Sequence, residues 1–314
     1  MVALALAVLA LAGCPKDASL GSVSFVRAGA VHQVPLADCV DRLVGRAPKP
    51  AARPSGLRSP QGRVATIRAA KPKAKIGAQS ILVDGRPVYT VREDYRRVPA
   101  GEPGPLGLVT WSPDGRWLFF YVDPMGSASL AADGLELRAL RVSDGHVAPV
   151  ATMLLNQDYL SWCGDALVLT GGGDRIATHH KRLLVGRPPD WTPTPLWSAS
   201  GRAFGSVACA PDGRSVAVLS QPDSANGQFF ATRWELWRVG LDGSHALLDR
   251  PPAGFADESP RWAPDGRSLL FVRERRGVGN LMLWRGGRFF GPIASLGYSL
   301  GYYGHHDWEF SWRR

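Results

Sequence analysis

The chain is built of short apolar runs cut by polar turns, and one arrangement of the two recurs. Trp111-Ser112-Pro113-Asp114-Gly115-Arg116 precedes the apolar run 117–122. Cys209-Ala210-Pro211-Asp212-Gly213-Arg214 precedes 215–219, and Trp262-Ala263-Pro264-Asp265-Gly266-Arg267 precedes 268–272. Each copy predicts strand, tight turn, strand. Pro sets φ at the first turn position, Asp caps the turn with its own side chain, and Gly takes the site that needs φ > 0. Two decayed copies, Arg58-Ser59-Pro60-Gln61-Gly62-Arg63 and Ser161-Trp162-Cys163-Gly164-Asp165, also stand before apolar runs.

The copies recur at a period of about fifty residues, which fits a four-stranded unit and exceeds the common helical repeats. Third strands are predicted over 135–140, 234–239 and 280–284, alternating apolar with polar as strands with one wet face do. Polar turns follow (Ser143-Asp144-Gly145, Leu241-Asp242-Gly243, Arg285-Gly286-Gly287), and then a short fourth strand. Residues 22–45 supply second, third and fourth strands with no first strand before them. At the other end, 307–312 reads as a lone first strand whose Trp312 is in register with Trp111, Trp162 and Trp262. The expectation is an all-β, six-bladed β-propeller over 22–314, with the C-terminal strand completing the N-terminal blade and so removing an open edge. The repeated Trp is expected to wedge between blades as core, each indole burying about 150–250 Å².

Composition agrees with a folding chain of many turns: 314 residues, 45% hydrophobic, with Gly 36 and Pro 25. The net charge of +10 invites a polyanion partner. Its basic residues are dispersed, however, apart from Lys71-Pro72-Lys73-Ala74-Lys75, and no recognition motif accompanies them. A solvated surface is expected, and no nucleic acid.

Residues 2–12 are apolar and uncharged, too short to span a bilayer but suited to a signal-peptide core. The core ends in Leu11-Ala12-Gly13-Cys14, which resembles the lipobox of bacterial lipoproteins, although no Lys or Arg precedes it. The resemblance implies a signal peptide over 1–13, lipidation at Cys14, a linker over 14–21, and a membrane-anchored protein facing the periplasm or cell exterior. Cys39, Cys163 and Cys209 then remain. Cys163 and Cys209 lie beside equivalent turns of neighbouring repeats, but buried free thiols are the expectation, and none has metal-ligand spacing.

The Trp-Ser/Ala-Pro-Asp-Gly-Arg turn and its apolar strand resemble the repeat of TolB-like β-propellers across 20–314. In that family the repeat serves as a protein-docking platform, as the gate of prolyl-oligopeptidase-type peptidases and as the body of some lyases. The small domain that precedes the TolB propeller has no counterpart between Cys14 and Ser22, so TolB's own partners do not carry over.

Candidate sites are few. Gly297-Tyr298-Ser299-Leu300-Gly301 matches a nucleophile elbow without its strand-turn-helix setting. Thr170-Gly171-Gly172-Gly173-Asp174 lacks the Lys-Ser/Thr of a phosphate loop and reads as a hairpin turn. His179-His180 is placed on an outer strand, where adjacent side chains point to opposite faces and seldom share a metal. The loops leading into the innermost strands would ring one mouth of the central channel with Asn156, Asp158, Tyr159, Arg202, Phe204, Asp257, Glu258, His305, His306 and Asp307. Such a ring suits a cation, a sugar or a peptide end. The expected function is a non-catalytic, monomeric scaffold that binds an envelope protein, with no cofactor and no metal. The rival is a metal-assisted carbohydrate lyase centred on His305, His306, Asp257 and Asp158.

Overall fold

The Pro-Asp-Gly turns fold as their residues dictate. In the computed structural model, Gly115, Gly213 and Gly266 hold φ of 66°, 66° and 65°. The Oδ1 atoms of Asp114, Asp212 and Asp265 accept from the amides of Arg116, Arg214 and Arg267 at 3.0, 2.9 and 2.8 Å. The structure describes residues 13–47, 56–68, 79–91, 106–123, 134–225, 233–299, 306 and 308–313. The expected signal core and the basic run at 71–75 lie outside these.

The described strands form six four-stranded antiparallel sheets. Blade 1 is Ser22–Arg27, Ala30–Pro35 and Arg42–Arg46, and blade 2 runs from Leu57–Arg58 to Arg86–Thr90. Blade 3 runs from Leu106–Trp111 to Val147–Met153, and blade 4 from Leu160–Cys163 to Thr194–Trp197. Blade 5 runs from Arg202–Cys209 to His245–Asp249, and blade 6 from Ala256–Trp262 to Arg288–Tyr298. Phe310–Arg313 supplies the missing inner strand of blade 1, with Val23 opposite Trp312, Ser24 opposite Ser311 and Phe25 opposite Phe310. This is the six-bladed propeller closed by its C-terminal strand. Among the described residues, no helix is long and apolar enough to cross a membrane.

The second strands show why their sequences are continuous apolar runs. Successive side chains on a strand point to opposite faces, and each face of a blade meets a neighbour. Trp117 and Phe119 pack with blade 4, while Leu118 and Phe120 pack with blade 2. Likewise Val216 and Val218 join blade 4, and Ala217 and Leu219 join blade 6. Leu269 and Phe271 turn to blade 5, and Leu270 and Val272 to blade 1. The core is therefore a set of interblade layers.

The repeated Trp ties four of the six layers at the inner edge. Trp111, Trp162, Trp262 and Trp312 donate their indole N–H to Leu57 O, Thr110 Oγ1, Ala208 O and Arg261 O of the preceding blade, at 2.9, 3.3, 3.1 and 3.2 Å. Blade 5 carries Cys209 at this register position, and there Cys163 and Cys209 are disulfide-bonded, with Cα atoms 5.4 Å apart. The expectation of free thiols at these two positions is thus corrected. Here a sulfur–sulfur bond holds a junction that lacks the indole. It closes a separation of 46 residues, so replacing both cysteines by Ser is expected to lower stability by about 2–4 kcal/mol, read as a lowered midpoint in urea. An unchanged midpoint would contradict the role given to this bond.

Cys14 is bonded to Cys39, with Cα atoms 5.8 Å apart, so all four cysteines are paired. This bridge and a lipid thioether at Cys14 exclude one another, because both use the same sulfur.

Candidate functional site

Where the inner strands of blades 4, 5 and 6 begin, side chains converge on a small cavity of about 10 Å³, room for a single water. Tyr159, Ser206, Trp234, Glu258, Ser259 and His306 are among its lining residues. Two local irregularities aim them there. In blade 5 the pairing register slips between Phe204 and Val207, and in blade 6 between Glu258 and Arg261. A β-bulge bends its strand and re-aims side chains. Ser259 takes φ of +48° within the second of these.

Three blades meet on one carboxylate. Asp158 Oδ2 accepts from Ser206 Oγ at 2.5 Å and from Ser259 Oγ at 3.4 Å. Glu258 receives the closing segment: His306 Nδ1 donates to its Oε1 at 2.9 Å, and Trp308 Nε1 donates to its Oε2 at 2.7 Å. The His306 and Trp308 rings stack with centroids 5.6 Å apart. Glu274 lies near this pair and accepts from the Gly277 amide. Burial pushes its carboxyl above the usual carboxylate range; the Gly277 amide opposes this, and Glu258 adds to it.

Arg202 and Asp257 do not line the cavity. Arg202 lies over the Trp237 ring and donates to Ser220 Oγ at 2.9 Å and Glu235 Oε2 at 2.6 Å. Asp257 is fully buried and bound by Arg273, whose Nε is 2.9 Å from its Oδ1 and whose guanidinium also holds Asp249. Phe204 is core between blades 4 and 5. Asn156 is buried but does not line the cavity. His305 and Asp307 lie outside the described residues. Gly297 and Tyr298 end the outer strand of blade 6, and Leu300 and Gly301 of the Gly-x-Ser-x-Gly stretch lie outside the described residues.

Burial raises the Asp257 carboxyl well above its ordinary value, with Arg273 opposing and Asp249 reinforcing the shift. A carboxyl whose folded pKa exceeds its unfolded value takes up a proton on folding. Its contribution is complete below the unfolded pKa of about 3.9 and is lost as pH rises through the folded value. Asp257→Asn is therefore expected to lose less of its melting temperature between pH 5 and pH 8 than the parent protein does, as thermal melts at the two pH values will show. A steeper loss in the variant would contradict this.

Sequence reasoning missed Ser206, Ser259, Trp234, Glu274 and Trp308. The first two were within reach, because the repeat alignment puts Tyr159, Ser206 and Ser259 at one position, three residues before Trp162, Cys209 and Trp262. His179 and His180 also differ from expectation. They sit in the loop between the second and third strands of blade 4, with ring centroids 3.5 Å apart and planes tilted by 31°. His180 has φ of +51°, which turns its side chain to the same side as that of its neighbour.

No protein-family model and no curated protein matches the chain. Among solved structures it is similar to TolB from Acinetobacter baumannii, at 16% identity and a TM-score of 0.44, covering 86% of this chain and 62% of that one. It is similar to a putative TolB from Agrobacterium tumefaciens at 16% identity and a TM-score of 0.43, covering 89% of each chain. An oligogalacturonate lyase in complex with manganese aligns at 11% identity and a TM-score of 0.42, covering 83% of this chain and 69% of that one. The chain spans less than two thirds of the Acinetobacter protein's length.

Proposed function

We propose that this protein is an exported β-propeller that works by binding another polypeptide, with no chemistry of its own. The observation that carries the reading is the outer strand of blade 1. Every residue of Arg42–Arg46 is exposed, Leu43 at 70% and Val44 at 61%, and Val40 beside them is 51% exposed. Among the described residues this strand pairs only with Ala30–Pro35, so its outer edge offers unpaired N–H and C=O groups. Folded proteins usually blunt such an edge. An apolar edge flanked by Arg42 and Arg46 suits the addition of an extended, acidic and apolar segment as a further strand.

The channel-mouth groups support the same reading. Asp158 and Glu258 are occupied in joining blades 4, 5 and 6 to the closing segment, and Asp257, central to the lyase alternative, is held by Arg273. Export is supported by the apolar leader and by the pairing of all four cysteines, which belongs to an oxidising compartment. At the N-terminus the choice lies between the Cys14–Cys39 bridge and a lipid anchor on Cys14. Lipidation leaves Cys39 with an alkylatable thiol, so mass spectrometry after alkylation without reduction separates them.

The function is tested by placing a photo-cross-linking residue at Val44 in an exporting bacterium. The expected result is one discrete envelope-protein adduct, absent in Leu43→Lys, and an isolated partner that binds the purified propeller at least tenfold more weakly after that change. A folded, exported protein giving no adduct at Val44 would overturn the proposal.

A further inference from the structure

We infer that the loop after the second strand of blade 4 is a binding site for a zinc-class divalent metal ion, with Asp174, His179 and His180 as ligands. Their ligand atoms all lie within 4.8 Å of one another. Asp174 Oδ2 is 3.8 Å from His179 Nε2 and 3.7 Å from His180 Nδ1. These separations exceed a hydrogen bond, which spans about 2.7–3.2 Å. Tetrahedral zinc with ligands at about 2.0–2.1 Å sets its donors roughly 3.4 Å apart. Asp174 Oδ2 thus stands from each imidazole nitrogen within a few tenths of an ångström of the spacing that a shared zinc sets, and no hydrogen bond closes either gap.

The surroundings hold the donors in place. Asp223, from the equivalent loop of blade 5, takes His179 Nδ1 at 2.5 Å and the His180 amide at 2.9 Å. That fixes the His179 tautomer with Nε2 as the acceptor facing Asp174, the outer partner that metal-bound histidines generally have. Asp174 Oδ1 accepts from the Ile176 amide at 3.1 Å, which leaves Oδ2 for the gap. Beneath the loop, Lys181 is 1% exposed, and its ammonium donates to the carbonyls of Asp174, Ile176 and His179 at 2.6, 3.0 and 2.8 Å. Gly172 permits the tight fold, since a β-carbon there would lie 2.2 Å from the His180 carbonyl oxygen. Thr178 and Ser224 exchange hydrogen bonds that dock the loop on blade 5.

Two imidazoles and one carboxylate favour zinc, or cobalt, nickel and copper in its place, over the hard oxygen-seeking cations. Three protein donors leave a fourth position for water or for a donor from a binding partner. All four cysteines are paired, so no thiol competes for the ion. The loop connects second to third strands, so it lies on the propeller face where the inner strands begin, the face of the cavity around Asp158 and Glu258. The inference is independent of the docking proposal for blade 1.

The test is calorimetric titration of chelator-stripped, tag-free protein with Zn²⁺, beside His180→Ala and Asp174→Asn. The His180 side chain is 71% exposed, and Asn retains an acceptor for the Ile176 amide, so both variants are expected to fold, as melts without metal will check. The expected result is one Zn²⁺ per chain in the parent protein, at least tenfold weaker in each variant, with a zinc-dependent rise in melting temperature that His180→Ala abolishes. Cobalt(II) in place of zinc should give the visible absorption of a tetrahedral site. No saturable one-to-one binding, or binding unchanged by both substitutions, would overturn the inference.

Discussion

Deleting residues 306–314 is expected to abolish cooperative folding. The segment supplies the inner strand of blade 1, the 8% exposed Trp308, and the Trp312 indole that reaches blade 6. Two tryptophans burying about 150–250 Å² each correspond, at ~25 cal/mol/Å², to roughly 8–12 kcal/mol as an upper bound. That rivals the ~5–15 kcal/mol by which whole domains are stable. The deletion also opens the inner edge of Ser22–Arg27, an invitation to pair with other chains. The shortened protein should show no sharp thermal transition and should aggregate, whereas a parent-like melt of a monomer would contradict the closure.

Glu258→Ala carries the next largest effect. The carboxylate is 4% exposed and takes both the His306 and the Trp308 N–H. Removing it strands two buried donors and cuts the closing segment from blade 6. Loss of one partner in such a buried arrangement costs about 3–5 kcal/mol, a fall in melting temperature of roughly 10 °C for a chain of this size. Glu258→Gln keeps one carbonyl acceptor and should recover part of the loss. Equal melting of parent and Ala variant would show that the mouth is not held together as described.

Much of the fold was legible because its signals are local. Pro, Asp and Gly at fixed turn positions specify hairpins, and three strands lacking a first at one end, with a lone first strand at the other, specified the closure that the sheet order shows. The site was less legible because it depends on which side of a strand a residue faces. Asp257 and Glu258 are neighbours, so they point apart, one to Arg273 and the other to the closing segment. Arg202 reaches outward along its own blade to Glu235. The bulges that turn Ser206 and Ser259 inward depend on pairing between strands and leave no composition signal. The Cys163–Cys209 bond follows from blade adjacency, with Cys209 at the register position that carries Trp in four other blades. The histidine pair was misplaced because a glycine-rich loop and a left-handed His180 undo the alternation that a strand would impose.

The central claim is that the two ends of the chain are one blade. Hydrogen exchange on the intact protein, followed by mass spectrometry of peptides covering 22–27 and 308–313, tests it most directly. The account predicts that both peptides exchange slowly and together, at the rate of the second strand of blade 6. Exchange of 308–313 within seconds while that strand stays protected would contradict it.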